Sequence, residues 1–423
     1  MELTSTARDG TGMAATALAD AFHRVRRATV ALVAGLSPED LAAQSMPDAS
    51  PGKWHLAHTS WFFDTVVLGA LPGRSPLRPD WQLLFNSYYE ALGPRHPRPQ
   101  RGLLTRPALD EVLAYRREVD DVVAEALARG QLAPAALALL VLGIEHEQQH
   151  QELLVTDLKH LFSQHPLKPA WRPAPPDAAA ATTPACRWLE FADAGAREIG
   201  ASDTGFAFDN ERPRHRHWLA PFAIASRPVC NADYAEFIAD GGYDEPRWWL
   251  SDGWAAVQAG QWHAPAYWQR DGHDWQVFGV HGLRPLDPAE PACHLSHFEA
   301  DAYARWAGAR LPTEFEWEHA LGAREWRGEF ADSGRLHPGR LEVECSGGHA
   351  WEWTSSAYLP YPGFRPLPGA AGEYNGKFMS GQMVLRGASC ATPRRHARGS
   401  YRNFFAPPAR WQFSGLRLAR DLP

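Results

Sequence analysis

The chain has 423 residues, which is too long for one compact core, so two domains are expected. The formal net charge is −7 and no basic block occurs, which argues against a nucleic-acid partner. The five cysteines are scattered, the N-terminus is polar, and no apolar run reaches the roughly 18 residues that a membrane span needs. The composition therefore predicts a cytoplasmic protein without a disulfide framework, a secretory signal or a membrane span.

Four segments of the first part carry the apolar periodicity of helices. They run from Leu18 to Leu36, from Trp54 to Leu71, from Pro107 to Ala128 and from Pro134 to Phe162. After the first, Ser37 precedes Pro38, which is typical of a helix N-cap. In the third, Arg116, Arg117 and Asp120 are predicted to form exposed charge pairs. Four such segments predict a four-helix bundle.

Two stretches have the composition of connections. Gly73–Arg106 is rich in Pro and Arg, and connections of that length are usually functional or disordered. Residues 166–186 are rich in Pro and Ala, which is typical of a linker. We therefore predict an α+β protein with a helical domain at 12–165 and a second domain at 187–423.

The second domain is dense in Gly, Pro and Trp, and its apolar runs are short. Helices are predicted from about Asn231 to Ala239 and from about Ser296 to Trp306. Thr313 and Glu316 form a capping box that opens another short helix. The rest of this domain is predicted to be short strands and long loops.

The fourth helix carries a candidate metal site. His146 and His150 are four residues apart, so they project from one helical face, which continues through Leu139 and Leu153. Two buried imidazoles at this spacing are costly unless a metal ion or strong hydrogen bonds compensate them. The spacing therefore indicates a metal site.

The same residues match H-E-x-x-H, the zinc metallopeptidase motif, with Glu147 as the general base. This alternative stays open on the motif alone. Its context argues against it, because a zinc peptidase needs a further ligand downstream, and a proline-rich linker follows here.

The third ligand is expected upstream of this helix. His58 shares a helical face with Trp54, Trp61 and Phe62, so it points inward, and His55 is the competing candidate. Three neutral imidazoles leave an iron(II) ion with open positions for a donor, a substrate imidazole and dioxygen. Zinc would suit the same ligands but offers no route to dioxygen chemistry.

At this point the sequence resembles the hercynine oxygenases, the sulfoxide synthases of ergothioneine biosynthesis, a family that includes selenoneine synthases. The resemblance covers nearly the whole chain in the family's order. In the first part it rests on Trp54-His55-Leu56-Ala57-His58, Phe85-Asn86-Ser87-Tyr88-Tyr89, Arg98-Pro99-Gln100-Arg101-Gly102-Leu103-Leu104 and His146-Glu147-Gln148-Gln149-His150. In the second part it rests on Leu311-Pro312-Thr313-Glu314, Trp351-Glu352-Trp353-Thr354, Tyr361-Pro362-Gly363-Phe364, Leu385-Arg386-Gly387-Ala388-Ser389, Tyr401-Arg402-Asn403-Phe404-Phe405 and Gly415-Leu416-Arg417.

The resemblance implies a DinB-like four-helix bundle followed by a formylglycine-generating-enzyme-like domain of C-type-lectin type, with the active site between them. It implies Fe(2+) bound by His58, His146 and His150, because the second histidine of the Trp54–His58 stretch is the family's ligand. The implied reaction uses dioxygen to join a sulfur donor to C2 of the imidazole of hercynine, which is trimethylated histidine.

The resemblance also implies roles for the residues of this sequence that match the family's other motifs. The proton or electron source implied by the resemblance is a tyrosine, from the pair Tyr88 and Tyr89 or the pair Tyr358 and Tyr361. The residues implied to bind substrates are Arg98 and Arg101 for the donor's carboxylates, Gln149 for a bound imidazole, and Asn403, Phe404 and Phe405 for hercynine. Arginine suits carboxylates because its planar fork pairs with both oxygens.

Departures from the family pattern leave the donor open. Gly348-His349-Ala350 stands where relatives more often have Gly-Asn-Val or Gly-Asp-Val, and it precedes the Tyr358 segment. A thiol donor and a selenosugar donor are both kept. A third hypothesis, in which the C-terminal domain acts alone as a formylglycine-generating or lectin-like module, is separated from an oxygenase by hercynine-dependent oxygen uptake.

Overall fold

A computed structural model describes residues 15–173, 183–341 and 347–423. Two compact units are present. The first holds the described residues up to Leu158 together with Ser202–Ala207 and Pro368–Glu373, and the second holds the remainder. The predicted domain limits at 12–165, 166–186 and 187–423 stay predictions. Residues 12–14 and the stretch 174–182 of the predicted linker lie outside the described residues.

The first unit is helical, as predicted. Its helices are α1 Ala15–Leu32, α2 Pro38–Ala42, α3 Gly52–Phe62, α4 Gln82–Phe85, α5 Leu109–Ala128 and α6 Pro134–Gln164, of which α6 belongs to this unit up to Leu158. The predicted N-cap is confirmed, because the side chain of Ser37 accepts from the backbone N–H of Asp40 and the Asp40 carboxylate accepts from that of Ser37.

The second predicted helix is not continuous to Leu71. After α3 the backbone widens into a π-helical turn, Phe63–Val67, and then narrows into a 3-10 turn, Leu68–Ala70. In the wide turn, Asp64 accepts from the backbone N–H of Leu77 and from the hydroxyl of Tyr115. These partners lie outside the helix, so helical periodicity cannot reveal them.

The stretch Gly73–Arg106 is ordered rather than an irregular loop. It contains α4 and the 3-10 turns Pro79–Trp81, Glu90–Leu92 and Arg98–Leu103. The Asn86 side chain donates to the carbonyls of Tyr89 and Gly93 and accepts from the N–H of Tyr89, which fixes the tyrosine-bearing loop.

A segment distant in sequence completes the first unit. The 3-10 turn Gly369–Glu373 ends in a carboxylate that accepts from the backbone N–H groups of Glu90 at 3.0 Å and Ala91 at 2.9 Å. These two amides directly follow Tyr88 and Tyr89, so Glu373 ties down the far end of the tyrosine loop.

The second unit mixes helices with short strands, which confirms the predicted α+β class. Its helices are α7 Asn231–Ala239, α8 Ser251–Gly260, α9 His297–Trp306 and α10 Glu314–Leu321. Its strands are β1 Trp188–Phe191, β2 Gly195–Ile199, β3 His215–Leu219, β4 Phe222–Ala225, β5 Trp268–Asp271, β6 Asp274–Gly279, β7 Gly282–Pro285, β8 Trp351–Ala357, β9 Met383–Arg386, β10 Asn403–Phe405, β11 Ser414–Leu416 and β12 Ala419–Asp421.

Within the described residues, the strands form four small sheets. Their orders are β1-β4-β12, β10-β9-β8-β11, β2-β3 and β5-β6-β7. All described pairings are antiparallel except β11 with β8. In the four-stranded sheet Asn403 pairs with Leu385 and Phe404 with Val384, so the predicted substrate residues of β10 lie on a sheet edge.

The helices of the second unit test the sequence predictions directly. Helices α7 and α9 lie where predicted, and Ser296 and Thr313 cap α9 and α10. Helix α8 was not predicted. A Cβ on its Gly253 would lie 2.9 Å from Cβ of Phe298, so the close approach of α9 requires glycine here, and glycine weakens the local helical signal.

The core of the second unit combines tryptophans with a buried ion pair. Trp317, Trp351 and Trp353 are fully buried. The carboxylate of Glu352 accepts from Nε and Nη2 of Arg417, each at 2.8 Å, and from the indole N–H of Trp317 at 2.6 Å. Core packing thus accounts for part of the unusual tryptophan content.

Of the helices in the described part of the chain, none is both long enough and apolar enough to cross a bilayer.

Gly143 provides a test of the packing between α6 and the turn after α3. A Cβ there would lie 2.6 Å from Cε1 of the fully buried Phe63, whereas a Cβ on Gly69 meets nothing within 4 Å. Alanine normally stabilises a helix relative to glycine, but we expect Gly143→Ala to destabilise the protein by about 1–3 kcal/mol through overpacking. Thermal melting measures this, with Gly69→Ala as the control. A Gly143→Ala variant as stable as the wild type would contradict the packing.

Candidate metal centre

Three histidines from two helices converge in the first unit. His58 comes from α3 and His146 and His150 from α6, and all three are buried. Their candidate ligand atoms lie within 4.8 Å of one another. Nε2 of His58 and Nε2 of His146 are 3.3 Å apart. Nitrogens sharing one ion through bonds of about 2.1 Å would be about 3.0–3.4 Å apart, so the group can hold a metal ion.

The imidazole of His58 is held in one orientation. Its Nδ1 lies 2.6 Å from the carbonyl oxygen of Phe85, which can only accept, so Nδ1 carries the hydrogen and Nε2 keeps a free lone pair. The ring lies between two indoles, with centroid distances of 4.5 Å to Trp54 and 5.5 Å to Trp61. His58 therefore presents Nε2 as a ligand atom with little rotational freedom.

His55, the competing ligand candidate, has both ring nitrogens engaged. Nδ1 lies 2.9 Å from Nδ1 of His150, and Nε2 lies 2.9 Å from Oδ2 of Asp157. No ring nitrogen of His55 remains for a metal. This agrees with the expectation that His58 is the ligand.

Burial keeps the three imidazoles in the form that binds metals. Burial is the largest cause that lowers the pKa of His146 to about 3, and it lowers the pKa of His58 and of His150 well below the ordinary value. All three rings are therefore neutral near pH 7, and neutral imidazole is the metal-binding form.

The neighbouring residue Glu147 lies on a different face of α6 and is fully buried. Its carboxylate pairs with Arg26 from α1 at 2.9 Å and with Arg116 from α5, and it accepts from the hydroxyl of Thr29 at 2.6 Å. Burial alone would raise the pKa of Glu147, but Arg116 and Arg26 lower it to about 2. Arg26 also donates to Ser60 of α3, so one network joins α1, α3, α5 and α6.

This network corrects one expectation and weakens another. Arg116, predicted in an exposed charge pair, is buried, because its guanidinium lies against Glu147 in the interior. A peptidase general base must take a proton from water, and a carboxylate held between two arginines with a pKa of about 2 is unsuited to that task. Glu147 therefore acts in this structure as a structural counter-ion.

The other predicted residues of the first unit occupy different environments. Tyr89 is buried, with ring centroids 5.8 Å from Trp61 and 4.7 Å from Tyr88, which is half-buried. Arg98 is exposed, whereas Arg101 is buried, stacks on Trp54 at 3.4 Å from the ring centroid and donates to Ser50 Oγ at 2.8 Å.

Gln149, on α6 beside the ligand pair, is half-buried. Its predicted contact with a substrate imidazole stays a prediction.

In the second unit, Tyr358 and the β10 residues lie together. The ring of Tyr358 stacks on Phe404 with centroids 4.1 Å apart and planes at 11°. The hydroxyl of Tyr358 accepts from Asn210 Nδ2 at 2.8 Å, and Asn403 and Phe405 flank Phe404 on the half-buried strand. The structure therefore brings Tyr358 to the segment predicted to contact hercynine.

Tyr361 is placed differently. Its hydroxyl donates to Glu314 Oε2 at 3.2 Å, and its ring lies 4.0 Å from the guanidinium carbon of Arg402, which itself pairs with Glu314 at 2.7 and 2.9 Å. The hydroxyl hydrogen of Tyr361 is thus already used in a hydrogen bond to the carboxylate of Glu314.

Two features of this site were missed in the sequence, although each carried a signal. Asp157 lies seven residues after His150, on the same face of α6. Arg26 and Thr29 interrupt the apolar stripe of α1 on its buried side. A polar group on a core-facing stripe indicates a buried partner.

Glu147→Gln tests the network. Gln keeps the shape of the side chain but leaves the buried Arg116 without a counter-charge and Arg26 with Asp120 alone, so we expect a loss of about 3–5 kcal/mol in stability at pH 7. Because the folded-state pKa of Glu147 is about 2 instead of 4.5, its contribution is present above about pH 4.5 and is lost as the pH falls toward 2. Thermal melting from pH 7 to pH 3 should show this decline in the wild type and a smaller one in the variant.

The matched control for this prediction is Glu125→Gln, which removes an exposed pair with Arg129 and should change stability by less than about 0.5 kcal/mol. An unchanged melting temperature of Glu147→Gln at pH 7 would contradict the structural role.

Two sequence-family models match the chain. The DinB superfamily matches residues 21–154, and the sulfatase-modifying factor enzyme 1-like domain matches residues 178–344. The predicted order, a DinB-like helical domain followed by a formylglycine-generating-enzyme-like domain, is confirmed. Among solved structures, PvdO from Pseudomonas aeruginosa aligns over 56% of this chain and 94% of its own with a TM-score of 0.35 and 19% identity, which is too low to carry an argument.

Curated relatives match over nearly the full length. The hercynine oxygenase of Mycolicibacterium thermoresistibile is 33% identical over 90% of both chains. That of Mycobacterium tuberculosis is 33% identical over 96% of this chain and 99% of its own, and that of Mycolicibacterium smegmatis is 34% identical over the same shares. These similarities, together with the two domain matches, show that the chain belongs to the hercynine oxygenase family.

Proposed function

We propose that this protein is a non-heme iron(II), dioxygen-dependent oxygenase that forms a carbon–chalcogen bond at imidazole C2 of hercynine. The observation that carries the proposal is the buried group of three neutral histidines in a member of the hercynine oxygenase family. The donor is a thiol, as in ergothioneine synthesis, or a selenosugar, as in a selenoneine synthase.

The donor set fits iron(II). Imidazole nitrogen is a ligand that iron accepts, and three protein ligands leave positions for substrates. When bound there, iron(II) would supply the redox chemistry with dioxygen that no side chain of the site can supply. His58, His146 and His150 would hold the ion, and the fixed orientation of His58 favours a single coordination geometry.

The β10 edge supports recognition of a trimethylammonium group. The rings of Phe404 and Tyr358 stack, and the ring centroids of Phe378 and Phe404 are 5.7 Å apart. Aromatic rings, whose faces attract a quaternary cation, are therefore grouped there. The nearby Arg402 would repel such a cation, but Glu314 pairs with it through both oxygens. The half-buried Asn403 supplies an amide for the carboxylate of hercynine.

Among the candidate proton donors, the hydrogen bonds favour Tyr358 over Tyr361. Tyr358 accepts from Asn210, which leaves its own hydroxyl hydrogen for another acceptor. Burial raises the pKa of Tyr358, so it is a neutral phenol at pH 7 and can donate a proton. Tyr88 and Tyr89 remain the alternative pair, because their loop borders the aromatic group around the histidines.

The donor is proposed to carry a carboxylate, because Arg101 is a buried cation in need of one. Burial is the largest cause that lowers the pKa of Arg101 well below its ordinary value. Among the described residues, no carboxylate forms an ion pair with Arg101, and its Nε has no hydrogen-bond acceptor. Leaving a buried charge unpaired is costly, so an anionic ligand would stabilise this position. A thiol amino acid meets this need and a selenosugar does not.

The proposed reaction is tested with enzyme reconstituted anaerobically with iron(II). Hercynine is added with cysteine, γ-glutamylcysteine or selenoglucose, dioxygen is admitted, and products are read by mass spectrometry. We expect an adduct of hercynine with the donor that requires both iron and dioxygen. His146→Ala should lose iron and turnover while keeping the wild-type circular dichroism, and His273→Ala, in an exposed turn, should keep both. Full turnover by His146→Ala would reject the site, and turnover with zinc in place of iron would reject the redox proposal.

Arg101→Gln tests the choice of donor. It removes the charge proposed to bind a carboxylate, so the KM for a thiol amino acid should rise on the order of tenfold to a hundredfold while the KM for hercynine stays constant. Steady-state kinetics measure both, with Arg129→Gln, at an exposed position, as the control. If wild-type enzyme prefers selenoglucose and Arg101→Gln leaves the donor KM unchanged, the carboxylate proposal is wrong.

A further inference from the structure

An outer chain of hydrogen bonds leads from the metal centre to one carboxylate. His150 Nδ1 lies 2.9 Å from His55 Nδ1, and His55 Nε2 lies 2.9 Å from Asp157 Oδ2. The same oxygen accepts from the backbone N–H of Ser50 at 2.8 Å. All four residues are buried, so these contacts are shielded from water.

The acceptors at the end of the chain fix the positions of the hydrogens. A carboxylate only accepts, so His55 Nε2 carries a hydrogen. In neutral His55 the other nitrogen, Nδ1, is then an acceptor, and His150 Nδ1 must donate to it. That leaves the lone pair of His150 on Nε2, the nitrogen free to bind a metal. The hydrogen bonds from Asp157 through His55 thus select one tautomer and one ring orientation of His150.

The charges nearby explain why a carboxylate is needed. The three candidate ligands are neutral, and the adjacent carboxylate of Glu147 is already balanced by Arg26 and Arg116. The guanidinium of Arg101, which like His58 lies against the Trp54 ring, adds a positive charge that disfavours a cation. Asp157 is the carboxylate that is hydrogen-bonded, through His55, to a candidate ligand.

We propose that His55 and Asp157 are positioning residues that act as a pair, holding His150 in its metal-binding tautomer and supplying the negative charge that the neutral triad lacks. The inference rests on the metal-binding part of the proposed function. Outer partners of this kind usually change metal affinity tenfold to a hundredfold.

The pair is tested by metal affinity rather than by turnover. Apoprotein is titrated anaerobically with Co²⁺ and with Fe²⁺ against a chromophoric chelator, and the visible spectrum of bound Co²⁺ reports ligand geometry. We expect Asp157→Ala to weaken binding by on the order of tenfold to a hundredfold and to alter the Co²⁺ spectrum. Asp157→Asn can still accept from His55 and Ser50, so it should restore the spectrum and part of the affinity. Asp121→Asn, on the exposed side of α5, is the control.

A double-mutant cycle separates a coupled pair from two independent packing defects. His55→Phe keeps an aromatic ring but cannot form the hydrogen bonds to His150 and Asp157, and this variant should lose as much metal affinity as Asp157→Ala. Adding Asp157→Ala to His55→Phe should then cost less than twofold more, because the chain is already broken. Additive losses, or an Asp157→Ala variant within twofold of wild-type affinity, would overturn the inference. A wild-type protein that binds neither ion would instead overturn the metal site of the proposed function.

Discussion

The position of α6 in the helical unit depends on one buried negative charge. Glu147 lies between Arg26 of α1 and Arg116 of α5. A rotation of α6 about its axis would leave Glu147 and Arg116 unpaired in the interior and would leave Arg26 with Asp120 alone. Such a loss costs several kcal/mol, so the helix has one favourable orientation. In that orientation His146, one residue earlier, faces α3 and His58. Glu147, which suggests a peptidase when the H-E-x-x-H motif is read alone, thus serves to orient the face of α6 that carries His146 and His150.

In both units, buried carboxylates pair with arginines beside a group that is predicted to bind a ligand. Around the three histidines, the hydrogen bonds of His58 and His150 orient the neutral rings so that their ligand nitrogens lie close together. In the second unit, arginines are matched internally, with Arg402 paired to Glu314 and Arg417 to Glu352. Arg402 lies 5.1 Å from the ring centroid of Tyr358, which stacks on Phe404, and its pairing with Glu314 offsets the positive charge beside this aromatic stack. Both arrangements follow from the high cost of an unpaired charge in an interior.

Sequence reasoning succeeded where a local rule decides the structure. The N-caps at Ser37 and Thr313 follow from side-chain to backbone hydrogen bonds within a few residues. The convergence of His146 and His150 follows from helical spacing. It failed where the partner is distant in sequence. Arg116 is buried because a carboxylate of α6 faces it, and Gly253 of α8 is required because Phe298 of another helix lies against it. Neither partner is visible in the local pattern.

The connection made by Glu373 has a consequence for dissecting the protein. The helical unit is discontinuous, and the carboxylate that holds the amides of Glu90 and Ala91 is contributed nearly three hundred residues later. A fragment that ends after α6 would contain all three histidines but would lack this anchor for the tyrosine loop. Chimeras that exchange the helical unit between relatives should therefore transfer residues 202–207 and 368–373 with it, because these segments belong to the helical unit by their contacts although they are distant in sequence.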